Sequence, residues 1–232
     1  MAKSASAWWK QRPPWALRAG FVTVFICSVL SSSARLGAQS DANQSAPIPI
    51  SQFTRMVQDF SEPGGYFHSD VFTSNETSYL QVTGNLKELG ISGGAYIGVA
   101  PEQNFSYIAK VRPRIAFIID IRRQAIIQHL MYKALFHMAP TRAQFLALLF
   151  ARPAPAAGLG KDESLEELLS YISSARGTQK AYTENLAAIR GTIVEGFRFP
   201  LSQDDARSLE YVYKAFWQGN LRIGSRGAAA PN

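Results

Sequence analysis

An apolar strand, a helix and a second apolar strand that ends in an acid form the pattern that most constrains the fold of this chain. Residues 95–100 are a short apolar run preceded by glycines, which predicts a buried strand. Pro101 and Glu102 then open a helical stretch, since proline and an acid are both favourable in the first turn of a helix. Residues 115–119 are continuously apolar, as in a parallel strand covered on both faces, and Asp120 follows them. The sequence therefore predicts a parallel, right-handed strand–helix–strand unit in an α/β fold.

Further helices are predicted on both sides of this unit. Apolar residues at helical spacing predict one helix from Ser51 and a long amphipathic helix over residues 122–138. The segments 164–167 and 202–205 have the spacing of a capping box, so each predicts the start of another helix. Residues 141–150 are strongly apolar, and their pattern fits either a helix or a strand.

The N-terminal segment, residues 1–38, is predicted to direct export. It carries five of the 24 basic residues and no acid, and a basic stretch, an apolar run and small residues follow one another in the order of a signal peptide. Cleavage after Ala34 or after Ala38 fits this order. The alternative is an uncleaved membrane anchor over residues 19–34. The chain is thus predicted to be exported (periplasmic or extracellular) or anchored to the membrane, with a linker at residues 39–50.

Charge and cysteine content exclude several classes of protein. The formal net charge of +7 is concentrated in the N-terminal segment, and the rest of the chain is nearly neutral, so a nucleic-acid partner is not favoured. Cys27 is the one cysteine, which excludes a disulfide framework and a CxxC metal site. His68, His129 and His137 do not have the spacing of metal ligands, so no metal is predicted.

Four arginines flank the second predicted strand. Arg112 and Arg114 precede it, and Arg122 and Arg123 follow Asp120. One interpretation is a solvated face at the rim of the sheet. The other is a surface for an anionic substrate or nucleic acid, which the nearly neutral charge of the predicted domain disfavours.

The two predicted strand ends form a candidate ligand site, because ligands of open parallel sheets bind outside the carboxyl ends of the strands. Gly98 and Ala100 keep the first turn small, so a ligand can approach the backbone. The helix that follows begins near Glu102 and Asn104, and its N-terminus offers free N–H groups to a carboxylate or phosphate. Asp120 comes 22 residues after Gly98, and an acid at that place can accept two hydrogen bonds from a ribose. The alternatives are an ordinary strand-to-helix turn and, for Asp120, a helix N-cap.

Two polar residues before the first strand, Asn75 and Glu76, are also candidates. They lie in the segment Ser74–Thr77, which either lines the same pocket or forms a capped turn.

These segments resemble a known family. Residues 96–102 and 117–120 are similar to the first two motifs of class I S-adenosylmethionine-dependent methyltransferases. More closely, four segments resemble an uncharacterised bacterial family with a methyltransferase-like, Rossmann-like domain: residues 61–66, 74–79, 96–108 and 112–122. The resemblance covers roughly residues 51–217. It implies S-adenosylmethionine or a related nucleoside as the small-molecule ligand.

The resemblance also implies a domain organisation. Residues 51–152 would form the Rossmann-like, methyltransferase-like region, residues 160–217 a helical segment, and residues 218–232 a disordered tail. Members of the family continue beyond the equivalent of Trp217 with further strands, so we expect a C-terminally truncated chain. The predicted fold class is therefore α/β, with an incomplete Rossmann-like parallel sheet, flanking helices and a C-terminal helical segment.

Two functions follow as hypotheses. The first is a methyltransferase-like protein in which Gly98, Ala100, Glu102 and Asn104 form the ligand loop and Asp120 holds the ribose. Glu102 departs from the glycine of the methyltransferase motif, and its carboxylate would repel the carboxylate of the ligand unless it binds the amino group. The alternative is a catalytically inactive, exported or membrane-tethered Rossmann-like binding module. No Ser/His/Asp arrangement is identifiable, because no serine occurs in a nucleophile-elbow sequence, and the sequence assigns no catalytic residue.

Overall fold

The described residues begin at position 47, just before the first predicted helix. The computed structural model describes residues 47–76, 78–99, 101–155, 163–224 and 227–228. The predicted signal or anchor segment and most of the predicted linker therefore lie outside the described residues.

Eight α-helices and one parallel strand pair make up most of the described residues. The helices are α1 (Ile50–Phe60), α2 (Val82–Glu88), α3 (Gln103–Val111), α4 (Arg123–Met138), α5 (Arg142–Leu149), α6 (Leu165–Ser174), α7 (Gln179–Gly191) and α8 (Gln203–Gly219). The strands of the parallel pair are β1 (Ala95–Val99) and β2 (Ile115–Ile119). Single 3-10 turns lie at Tyr79–Gln81 and Asn220–Arg222, and a π-helical segment, Thr192–Gly196, continues α7. The fold is thus mixed α/β and mostly helical.

The strand pair has the predicted parallel arrangement. β1 pairs with β2 from Ala95↔Ile115 to Val99↔Ile119, and α3 connects the two strands. At the amino ends of the strands, the N–H of Arg114 donates to the carbonyl of Gly94 over 2.8 Å. The prediction of a parallel strand–helix–strand unit is confirmed.

The predicted burial of the two strands is wrong for one face. Ile97, Val99 and Ile119 are 70%, 61% and 52% exposed. Side chains alternate along a strand, so these three lie on the face opposite to Tyr96 and Gly98, which contact α3 through Asn104. Since α3 lies on that second face, Ile97, Val99 and Ile119 on the first face remain in contact with solvent, whereas Phe117 on the same face lies near the ring of Phe60.

The main core forms around α4. Ile127, Met131 and Leu135 are almost fully enclosed, and the buried surface also includes Gln128 and Tyr132, so it is wider than the apolar stripe of the predicted amphipathic helix. Helix α8 packs against α4 and contributes Val212 and Phe216 to the same core. Residues from the predicted 51–152 region and from the 160–217 region thus share one hydrophobic cluster in the described part of the chain. Residues 142–149 form helix α5, which resolves the ambiguity of that segment.

Both predicted capping boxes are confirmed. The hydroxyl of Ser164 accepts from the N–H of Glu167, and the hydroxyl of Ser202 accepts from the N–H of Asp205 over 3.1 Å. Asp205 has a second function, because its oxygens accept from Nε and Nη2 of Arg123 over 2.9 and 3.0 Å. This ion pair joins the start of α8 to the start of α4, so the cap of one helix also fixes its neighbour.

The segment after Gly219 differs from the predicted disordered tail where it is described. A 3-10 turn at Asn220–Arg222 leads into two-residue strands, β3 (Ile223–Gly224) and β4 (Gly227–Ala228), which pair antiparallel. Ile223 packs against the core, and this apolar contact accounts for the order that composition did not indicate.

Replacing Asp205 by alanine should lower the free energy of unfolding by about 2 kcal/mol, because the partly exposed Arg123 loses its paired carboxylate and the N–H of Ser202 loses its acceptor. The neighbouring Asp204→Ala serves as control and should cost less than about 1 kcal/mol, since the ion pair of Asp204 with Arg207 is solvent-exposed. Urea unfolding followed by circular dichroism measures both values. Equal losses in the two variants would contradict the proposed linkage of α8 to α4.

The same carboxylate should make stability dependent on pH. Burial raises the pKa of Asp205, but the hydrogen bonds from Arg123 and Ser202 together outweigh it and hold the pKa below its usual value. A lowered pKa gives stability that is complete above the ordinary value of about 4 and is lost as the pH falls through the folded-state value. We expect the free energy of unfolding to decrease below about pH 4, and Asp205→Asn to reduce that decrease. An unchanged pH profile in urea unfolding of Asp205→Asn would refute this assignment.

Candidate functional site

The carboxyl ends of β1 and β2 lie side by side. In the parallel register Gly98 pairs with Ile118 and Val99 with Ile119, so the residues that follow each strand emerge at the same edge of the sheet. We call this the carboxyl edge and define it as residues 98–104 and 120–122. All the predicted ligand residues except Asn75 and Glu76 belong to the carboxyl edge. One of them, Ala100, lies outside the described part of the chain.

The absence of a side chain at Gly98 makes room for the side chain of Asn104. A Cβ at Gly98 would lie 2.0 Å from Oδ1 of Asn104, which is closer than any real contact. Asn104 is 2% exposed; its Oδ1 accepts from the hydroxyl of Tyr96 over 2.7 Å, and its Nδ2 donates to the carbonyls of Val99 and Pro101 over 3.0 and 2.9 Å. Burial raises the pKa of Tyr96, so its phenol stays protonated and able to donate. Asn104 thus fixes the shape of the turn, and the prediction that it contacts a ligand directly is not supported by this geometry.

Glu102 binds a backbone amide from an earlier segment of the chain. The N–H of Ser74 donates to both oxygens of the Glu102 carboxylate, at 3.1 and 3.0 Å. Asn75 and Glu76, the neighbours of Ser74, are exposed, and the N–H of Glu76 donates to the hydroxyl of Ser74. The structure therefore brings these candidates beside Glu102, as part of a turn at the carboxyl edge.

Asp120 forms a buried ion pair. Its Oδ1 accepts from the backbone N–H of Arg122 over 2.8 Å and from Nε over 3.0 Å, and its Oδ2 accepts from Nη2 over 2.7 Å. The Asp120 side chain is only 4% exposed. The N-cap of α4 is Arg122 and makes no capping bond through its side chain. Asp120 therefore stabilises the turn before the helix and the guanidinium of Arg122 together.

The expectation of a solvated arginine face holds for only part of the cluster. Arg112 and Arg114 are exposed, but Arg122 is only 8% exposed, and Arg123 is half-buried against Asp205. Ion pairing with Asp120 explains the burial of Arg122, since a desolvated guanidinium requires an opposite charge. The sequence could not reveal this pairing, because nothing in the local pattern distinguishes Arg122 from the other three arginines.

A segment that precedes β1 runs across the carboxyl edge. The N–H of Gly65 donates to the carbonyl of Ile121 over 2.7 Å, and Nη1 of Arg122 donates to the carbonyls of Ser69 and Asp70. Together with the bond from Ser74 to Glu102, these contacts fix residues 64–74, which we call the crossing segment, against both strand ends. The sequence pattern did not predict that Arg122 pairs with Asp120 and holds the crossing segment in place.

The chemistry available at this edge is hydrogen bonding by two carboxylates. Glu102 and Asp120 can accept from hydroxyl or amino groups of a ligand, once their present donors release them. In the described part of the chain, no three His, Cys, Asp or Glu side chains are placed so that they could hold a metal ion. Among the same residues, no helix has both the length and the apolar character needed to cross a membrane.

The close contact at Gly98 gives a test of this local geometry. Gly98→Ala should destabilise the chain by about 2 kcal/mol, because the new methyl group displaces the bonded amide of Asn104. In an Asn104→Ala background the same change should cost much less. Gly84→Ala is the control; its Cβ would meet nothing within 4 Å, so in α2 it should be neutral or slightly stabilising. Urea unfolding of the double-mutant cycle measures the coupling, and additive losses would contradict the contact.

Comparison with known proteins places the chain in a family. No curated protein and no solved structure matches it. Residues 71–208 match the family described as "Domain of unknown function (DUF7790)". The match begins in the crossing segment, includes the carboxyl edge and extends into α8, and it covers more than half of the chain. The chain therefore belongs to the DUF7790 family.

Proposed function

We propose that this chain is a methyltransferase-like protein that binds S-adenosylmethionine or a related nucleoside at the carboxyl edge. The single observation that supports this most is the parallel register, which places Asp120 beside the turn that starts at Gly98. Ligands of open parallel sheets bind at such an edge, and an acid after the second strand is suited to a ribose. In this proposal the parallel pair is part of a Rossmann-like sheet.

Each candidate residue has a role in this proposal. Asp120 accepts hydrogen bonds from the two ribose hydroxyls, and Glu102 accepts from the amino group of the ligand. Gly98 and Asn104 shape the turn, Ala100 lets the ligand approach the backbone, and the exposed Asn75 and Glu76 line the outer side. Methyl transfer from such a cofactor depends largely on the positioning of donor and acceptor, so it requires no general acid or base.

A second candidate function is a catalytically inactive binding module. The observation in its favour is that Glu102, Asn104 and Asp120 all have hydrogen-bond partners within the chain. Export or a membrane anchor at residues 19–34 also favours it, because adenosyl cofactors are made and kept in the cytoplasm. Such a module would use another surface, for which the open groove of about 590 Å³ between α7 and residues 200–201 is available; Leu186, Val194 and Leu201 are among its lining residues.

Calorimetric titration of the full chain with S-adenosylmethionine and with S-adenosylhomocysteine separates the two functions. We expect saturable heat with at least one of them. Asp120→Ala should then bind more weakly than Arg122→Ala by about 1.5–3 kcal/mol, the value of hydrogen bonds to a charged group, because both variants break the ion pair between these residues and only Asp120→Ala removes the acceptor of the ribose. Asp204→Ala, which removes an exposed acid from α8, is the control and should leave the affinity unchanged.

Two results would contradict the proposal. Absence of heat with either compound, from a chain that circular dichroism shows to be folded, would exclude adenosyl binding and favour the binding module. Binding by Asp120→Ala that is as strong as binding by Arg122→Ala would leave a ligand site but refute its place at the end of β2.

A further inference from the structure

We propose that the crossing segment, residues 64–74, is an autoinhibitory cover of the carboxyl edge that a ligand must displace. This inference rests on the proposed function and adds its regulation. The proposal is based on the two carboxylates assigned to the ligand. Glu102 binds the crossing segment directly, and Asp120 holds Arg122, which binds the same segment.

The first fastening lies at the end of β1. Both oxygens of Glu102 accept from one backbone N–H, that of Ser74. A carboxylate can accept about four hydrogen bonds, so the Ser74 N–H has to leave only if the ligand approaches Glu102 from the side that the crossing segment covers. This is the direction of approach that the proposal assigns to the ligand amino group. The two states of Glu102, bound to Ser74 or bound to the ligand, therefore compete.

The second fastening lies at the end of β2 and acts through Arg122. The guanidinium binds Asp120 through Nε and Nη2 and the carbonyls of Ser69 and Asp70 through Nη1. A ribose that takes the oxygens of Asp120 removes the partner that holds this guanidinium in place. Loss of that partner weakens the hydrogen bonds of Arg122 to the carbonyls of the crossing segment.

The crossing segment can open at its ends without disrupting the core. Its anchor is Phe72, which is 1% exposed and packs against the rings of Tyr211 and Phe216. On one side of this anchor Tyr66 is 87% exposed, and just beyond the other side Asn75 is exposed. Opening requires the loss of the polar contacts to Glu102, Arg122 and Ile121 and of the hydrogen bonds that the Asp70 carboxylate accepts from Gln124 and Tyr211, while the apolar contacts of Phe72 persist.

A pair of substitutions at one position tests the first fastening. Ser74→Pro removes the N–H that Glu102 accepts, whereas Ser74→Ala keeps this N–H and removes only the hydroxyl. Titration of each full-length variant with S-adenosylmethionine should show binding about tenfold tighter for Ser74→Pro than for wild type, since a hydrogen bond to a charged acceptor no longer opposes the ligand. Ser74→Ala should bind like wild type.

A measurement on the wild-type chain makes the test independent of how well Ser74→Pro folds. Hydrogen–deuterium exchange, followed by mass spectrometry with fragmentation, reports the protection of the Ser74 amide with and without S-adenosylmethionine. We expect this amide to exchange faster when the ligand is present, because Glu102 has released it. Equal or greater protection with the ligand present would overturn the competition.

The outcomes distinguish the failure of the cover from the failure of the ligand site. If wild type binds and a folded Ser74→Pro binds no tighter, the autoinhibitory function is refuted and the ligand site stands. If neither binds, although exchange shows an open crossing segment in Ser74→Pro, the adenosyl site itself is refuted. Binding by Ser74→Pro alone, or tighter binding by it, supports both.

Discussion

The buried ion pair between Arg122 and Asp120 is the interaction on which the carboxyl edge depends. It neutralises a guanidinium that lies almost wholly out of water, and the same guanidinium fixes the carbonyls of Ser69 and Asp70. The next residue, Arg123, pairs with Asp205 at the start of α8. Two consecutive arginines thus connect the strand pair to the crossing segment on one side and to the helical core on the other. A desolvated charge tolerates little displacement from its partner, which explains how one short turn can fix three parts of the chain.

The parts of the fold that depend on nearby residues could be predicted from the sequence. The two capping boxes, the helix α4 and the limits of β1 and β2 follow from side-chain spacings of a few residues, and the structure reproduces them. The positions of Glu102 and Asp120 at the strand ends were also predictable, because the ends of parallel strands lie at predictable places in an α/β unit. Local patterns thus predict where the carboxyl edge lies.

The partners at that site could not be predicted, since they come from distant positions. Ser74 lies 28 residues before Glu102, and Asp70 lies 52 residues before Arg122, so no periodic pattern relates them. Gly98 indicated space for a ligand, whereas the neighbouring Asn104 occupies that space. Apolar runs in β1 and β2 indicated strands covered on both faces, although one face is open among the described residues. The apolar composition of a segment predicts that it forms a strand, but tertiary contacts decide which of its faces is buried.

The proposed ligand site is the carboxyl edge, which the chain's own crossing segment covers. Nuclear magnetic resonance of the isotope-labelled full chain tests it most directly, because each backbone amide reports on its own surroundings during titration with S-adenosylmethionine. We expect saturable shifts concentrated at residues 69–76, 98–104 and 120–122, while the amides in the middle of α4 stay unchanged. An unchanged spectrum, or shifts confined to the groove beside α7, would contradict it.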